Sequence, residues 1–148
     1  MDIRKKLAEH FGDNLLFADS FDNAIVGVAV GNDSLAANTT GSSNTAVGEG
    51  SLKANTTEAS NTGIGYRALY SQTAGNMNTA VGRNALTDNT TGTQNNAFGV
   101  NALSGNTTGD YNVYLGGEAG NGNTSGDSNV VVGYRAGTTT GTYSNSTF

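Results

Sequence analysis

The sequence predicts an all-β chain, a parallel β-roll or β-solenoid of about seven 17-residue coils preceded by a short N-terminal helix. Three observations carry this reading. A glycine recurs at Gly31, Gly48, Gly65, Gly82, Gly99, Gly116 and Gly133, every step being seventeen residues with no insertion. A large apolar residue stands before each one, at Val30, Val47, Ile64, Val81, Phe98, Leu115 and Val132. Asn, Thr and Gly fill 62 of the 148 positions, whereas only 35% of residues are hydrophobic. That is too little apolar material for a conventional core, and too regular a spacing for a disordered chain.

The first 26 residues, MDIRKKLAEHFGDNLLFADSFDNAIV, stand outside the repeat. Asp2 can cap a helix, Ile3, Leu7 and Phe11 share one helical face, and Gly12 is a natural stop. A second apolar group, Leu15, Leu16, Phe17 and Phe21, follows. This segment is expected to cap the raw end of the solenoid, which would otherwise expose unpaired strand edges. It is equally suited to attach the rod to a larger particle, through Ile3, Leu7, Phe11, Leu15, Leu16 and Phe17 with the basic Arg4, Lys5 and Lys6. Its acidic residues and lack of a long apolar stretch do not predict a secretory leader.

Residues 27–145 form the expected repeat domain, with 146–148 as a tail. Besides the glycine, each unit carries an asparagine (Asn44, Asn61, Asn78, Asn95, Asn112, Asn129) and a small residue (Ser34, Ser51, Ala68, Ala85, Ala102, Ala119, Ala136). A leucine column (Leu35, Leu52, Leu69, Leu86, Leu103) gives way to Gly120 and Gly137. Seventeen residues are too few for two helices, and the composition opposes helix. Two extended segments per coil are expected, "NTAVG" and "ALxxNTT", with the bends built from Gly, Asn and Ser. Stacked coils then pair each strand with its copy at ~4.8 Å, and buried Asn side chains can form ladders along the stack.

Strand alternation sends the Ala46, Ala80 and Ala97 column to one side and the aliphatic column to the other. With the small residues inside, Val30, Val47, Ile64, Val81, Phe98, Leu115 and Val132 become an outer apolar stripe and the expected oligomer interface. Such a stripe suits a cyclic trimer or dimer. In the reverse orientation, the Thr45, Thr62 and Thr79 column is expected outside with the small residues.

The units TAVGEGS, TAVGRNA and NAFGVNA, and less exactly TGIGYRA, VYLGGEA and VVVGYRA, resemble the head repeats of trimeric autotransporter adhesins and similar repeats of phage tail-fibre proteins. The resemblance covers about residues 27–143. It implies a homotrimer, an elongated β-roll and a fibre or surface-adhesive role. The period is longer than the compact adhesin repeat, with "NTTG" (38–41, 89–92, 106–109) enlarging one turn. The N-terminus is similar to the starts of small tailed-phage proteins.

The letters offer little chemistry. There is no cysteine and a single histidine, His10, so no thiolate or multi-histidine metal site is expected. A net charge of −5 argues against nucleic acid, and no apolar run is long enough to cross a membrane as a helix. The stretch GIGYRA, residues 63–68, matches a nucleotide-binding fingerprint, but its slot reads AVGEGS and AVGRNA in neighbouring coils. Asp110 and Asp127 stand one coil apart and raise the question of a cation between their loops. The other repeat carboxylates (Asp33, Glu49, Glu58, Asp88, Glu118) imply no acid–base pair, so neither a catalytic residue nor a cofactor is expected. Tyr111, Tyr114, Tyr134, Arg135 and Tyr143 gather near the C-terminal coils and form the expected receptor patch.

The functional expectation is therefore a non-enzymatic structural protein on the surface of a phage virion. It would be a trimeric fibre, spike or capsid-decorating protein, partnered by itself and by capsid or tail proteins, with host polysaccharide as its contact. The alternatives are a bacterial trimeric adhesin head fragment and an ice-binding solenoid using threonine ladders such as Thr39, Thr56, Thr90 and Thr107.

Overall fold

The computed structural model describes residues 27–138 and 142–147. The expected N-terminal helix and the attachment residues Ile3 to Phe17 lie outside that range. Seven strands, β1 (Gly27–Val30), β2 (Asn44–Val47), β3 (Thr62–Ile64), β4 (Thr79–Val81), β5 (Asn96–Phe98), β6 (Val113–Leu115) and β7 (Val130–Val132), form one sheet in sequence order. Every neighbouring pair is parallel and in register at seventeen residues, as in Val30 opposite Val47 and Phe98 opposite Leu115. Six steps thus separate the seven strands, and the chain is a β-solenoid of about six turns. The register runs past the expected boundary at 145, because Thr147 bridges Val130 and the Ser146 N–H donates to Asn129 Oδ1 (3.0 Å).

Each coil contains one strand, not two. The "ALxxNTT" side is turn, and the reason lies in its backbone: the residues two and four beyond the repeat glycine are left-handed. Arg67 and Leu69 both sit at φ 54°, Asn84 at 56° and Leu86 at 51°. A β-strand cannot run through such positions. The coils still bond to each other here, since Leu52 N–H donates to Ala68 O (3.0 Å) and Leu69 N–H to Ala85 O (3.1 Å). A left-handed leucine costs roughly 1–2 kcal/mol. The site tolerates this because Leu52, Leu69, Leu86 and Leu103 are fully buried, which is worth about 1.5–3 kcal/mol each.

The repeat glycine has two causes. Gly82 lies at φ 136°, and a Cβ there would come 2.4 Å from Gly99 O in the next coil. Glycine backbones therefore stack directly on one another where the strand ends.

The interior is narrow and mostly small. Ala29, Ala46, Ala80 and Ala97, with Gly63, point inward from the strands and meet the leucine column and the small residues Ser51, Ala68, Ala85 and Ala102. Two amide columns complete it. In the first, Asn44 Oδ1 accepts from Asn61 N (2.9 Å), and the pattern continues through Asn78, Asn95, Asn112 and Asn129. The Nδ2 groups of the same residues donate to corner carbonyls of the following coil, such as Gly92 O from Asn78 (2.8 Å) and Gly109 O from Asn95 (2.7 Å). In the second, Asn55, Gln72, Asn89 and Asn106 each donate to the carbonyl three residues on. A buried amide is expensive unless bonded, so the two columns lock the register instead of merely filling space.

Candidate functional site

With the small residues inside, the strands turn Val30, Val47, Ile64, Val81, Phe98, Leu115 and Val132 outward. All of these are half-buried or exposed. Thr45, Thr62 and Thr79 stand on the same outer face, two residues away along each strand, and do not go with the small residues. Strand alternation requires this, because residues i and i+2 share a side.

The distribution of exposed apolar groups over the molecule is lopsided. Twelve large hydrophobic side chains are exposed among the described residues. Seven of them, Val28, Val30, Ile64, Phe98, Leu115, Val130 and Val132, are on the outer face of the strands. The other five flank it directly: Met77 and Tyr111 just before a strand, and Tyr66, Val100 and Tyr134 two residues after one. The turn sides carry none. Six steps of ~4.8 Å by about six residues of ~3.3 Å give a face on the order of 600 Å².

The expected receptor patch does not exist as one surface. Tyr114 is fully buried, pointing into the coil in the place held elsewhere by alanine. Burial pushes its phenol well up, helped by Tyr143, and its hydroxyl accepts from Asn123 Nδ2 (3.0 Å). Tyr143 packs against the core with its hydroxyl donating to Gly137 O. Tyr111 and Tyr134 flank the sheet on opposite sides, and Arg135 pairs with Glu118 (3.3 Å). Sequence position brought these residues together only along the chain; alternation sends them to different sides.

The two aspartates are occupied by the backbone. Asp110 Oδ1 accepts from Thr93 N (2.7 Å) and Asp127 Oδ1 from Asp110 N (2.8 Å). Asn76 and Ser144 do the same in their own coils, so the aspartates are members of a neutral column as much as an acidic pair. Among the described residues no group of three His, Cys, Asp or Glu could hold a metal ion, and no helix is long and apolar enough to cross a membrane.

One shallow cleft concentrates charge and aromaticity at the corner beyond the strands of the first three coils. Asp33, Glu49, Gly50, Lys53, Arg67 and Tyr70 line a volume of about 120 Å³. Lys53 Nζ bonds Asp33 Oδ2 at 2.8 Å, which pulls the lysine pKa up. The Arg67 guanidinium lies 4.7 Å from the Tyr70 ring and 5.5 Å from that of Tyr66. Sequence reasoning assigned Tyr66, Arg67 and Tyr70 to no site. The signal it lacked was Gly50, a gap in a column that otherwise bears side chains.

Compared with protein-family models, with curated proteins and with solved structures, the chain matches none.

Proposed function

We propose that this chain is a non-enzymatic structural rod that packs with two further copies along its outer sheet face, as a fibre, spike or capsid-decorating element on the surface of a phage virion. The observation that supports this reading is the confinement of all twelve exposed large hydrophobics to one face and its two flanks. A face on the order of 600 Å², apolar except for the Thr45, Thr62, Thr79 and Asn96 row, is near what one partner contributes to a standard interface. Three such faces around a threefold axis cover one another, and a closed symmetric arrangement leaves none to recruit further copies. The resemblance of the TAVGRNA-type units to trimeric fibre and adhesin repeats favours three copies over two. The rod's work is then presentation: a stiff scaffold whose weak contacts to host polysaccharide gain by repetition.

Two measurements test the proposal. Sedimentation should give a trimer at micromolar concentration, and the combined Ile64→Asp, Val81→Asp and Phe98→Asp variant should sediment as a folded monomer. A monomeric natural chain, or a variant that remains trimeric, overturns the assembly. Fractionation of purified particles should recover the chain with the virion, and its absence from them removes the virion placement.

A further inference from the structure

The position two residues beyond each repeat glycine is held by Asp33, Gly50, Arg67, Asn84, Asn101, Glu118 and Arg135. All of them are left-handed, and only one lacks a side chain. Further along, the column closes on itself, with Asn84 Nδ2 donating to Asn101 Oδ1 (3.3 Å). At Gly50 the row lacks a side chain between Asp33 on one side and Arg67 on the other, and the Tyr70 ring and the Arg67 stem approach that place. Six of the seven positions show that this conformation does not require glycine here, so the gap is a local opening in an otherwise filled row. The Tyr70 ring closes its floor, since a Cβ on Gly50 would come 3.2 Å from two of its carbons.

The groups around the gap are unequal in their engagement. Lys53 and Asp33 satisfy each other. Among the described residues neither Arg67 nor Glu49 has an ion-pair partner. Arg67 is nonetheless held, by the two tyrosine faces at 4.7 and 5.5 Å. A stacked guanidinium keeps its donor fork free, and that fork matches a carboxylate. The carboxylates of Glu49 and Asp33 accept hydrogen bonds and suit hydroxyl donors.

We infer that this cleft binds a carboxylate-bearing sugar unit, with Arg67 taking the carboxylate and Glu49 and Asp33 accepting from hydroxyls. A neutral sugar leaves the guanidinium unused, and a simple anion has no hydroxyl to donate to Glu49 and Asp33. The volume of about 120 Å³ holds one end of a saccharide, not a drug-sized ligand. The inference deepens the proposed contact with host polysaccharide and moves it from the C-terminal coils to the first three. It also rests on that reading for its biological setting. A trimer offers three such clefts on one rod, so weak single sites gain by multivalency.

The experiment is titration of the full chain with free glucuronic acid, followed through backbone amide shifts, with glucose as the neutral control. The expected result is a dissociation constant on the order of 1 mM for the acid, shifts confined to the corner of the first three coils, and no response to glucose. Gly50→Asn should fill the cleft with a residue the column already accepts, and Arg67→Asn should remove the cation. Each should weaken binding at least about tenfold while a melting curve shows the fold intact. Equal response to glucose, shifts spread over all coils, no response at all, or unchanged binding in a folded Arg67→Asn variant overturns the inference. Because the ligand is a free monosaccharide, a null result leaves the assembly proposal standing. Absence of the chain from particles likewise leaves the titration untouched.

Discussion

The middle coils and the C-terminal coils solve the same packing problem in opposite ways. In the middle, an alanine or glycine on the strand (Ala46, Gly63, Ala80, Ala97) faces a leucine six residues later (Leu52, Leu69, Leu86, Leu103). At the C-terminal end the strand supplies the bulk, with Tyr114 and Val131, and the partner shrinks to Gly120 and Gly137. A Cβ on Gly120 would fall 1.8 Å from Tyr114 Cε1, and one on Gly137 2.6 Å from the Tyr143 hydroxyl and 3.3 Å from a Val131 methyl. What the fold conserves is the filled volume of the coil, not the residue in a column, as close packing demands. The exchange has a polar consequence. Asn123 turns its amide towards the Tyr114 hydroxyl, and Asn106 Oδ1, one coil back, is left buried without a partner.

The sharpest way to break this contrast is to move the C-terminal solution into the middle. Ala80→Tyr alone overfills its coil and should cost about 3 kcal/mol. Leu86→Gly alone empties it and should cost about 3 kcal/mol, after some relief of the left-handed leucine. Together they recreate the Tyr114–Gly120 pair, with Asn89 placed as Asn123 is. The double variant should recover at least about 2 kcal/mol of the summed loss in urea unfolding. Simple additivity would show that volume is not exchanged between these two positions.

A smaller effect separates a glycine inside the stack from the one at its end. Gly82 and Gly133 have similar backbones, at φ 136° and 130°, so an alanine at either bears the same strain of about 1–3 kcal/mol. Only Gly82 also faces a carbonyl of the next coil, at 2.4 Å; the nearest atom to a Cβ on Gly133 is Ala136 Cβ at 3.7 Å. Gly82→Ala should therefore be the more destabilising by more than about 1 kcal/mol in thermal unfolding. Equal losses would mean that conformation alone, and not the contact between coils, selects glycine.

The smallest effect is one of pH. Glu58 takes a place held by glycine at Gly41, Gly75, Gly92, Gly109 and Gly126. Burial pushes its carboxyl up, but the Thr57 and Thr56 N–H groups, each 3.0 Å from Oε2, outweigh that and hold it below its ordinary value of 4.5. A carboxyl depressed in the folded state contributes stability above the unfolded value, and this is lost as pH falls through the lower folded one. Between about pH 5 and about pH 3 the natural chain should lose melting temperature faster than Glu58→Gln, by a degree or two. Parallel pH profiles would show that the cap contributes nothing.

How far the letters could be read follows from the same contrast. The glycine, asparagine and aliphatic columns gave the period, the parallel register and the outward side of Val47, Val81 and Phe98, because identical neighbours stack best on themselves and strands alternate. The second strand failed because leucine is not a residue from which a left-handed backbone is expected; its burial overrides the local preference. Tyr114 failed for a related reason: read as a surface aromatic near other tyrosines, it sits on an inward position. The loss of leucine at Gly120 and Gly137 was visible, but its meaning was not.

The sequence by itself determined the coil length, the order and pairing of the strands, and the thinness of an interior made from alanine, leucine and asparagine. All of these follow from repetition, since a residue seventeen places on meets its own copy. Only the tertiary structure decided which residues share space within a coil. Tyr114 with Gly120, and Gly50 with Tyr70, are brought together by left-handed turns between positions that no column aligns. Contacts along the stack are written in the period; contacts across the coil depend on the path of the backbone.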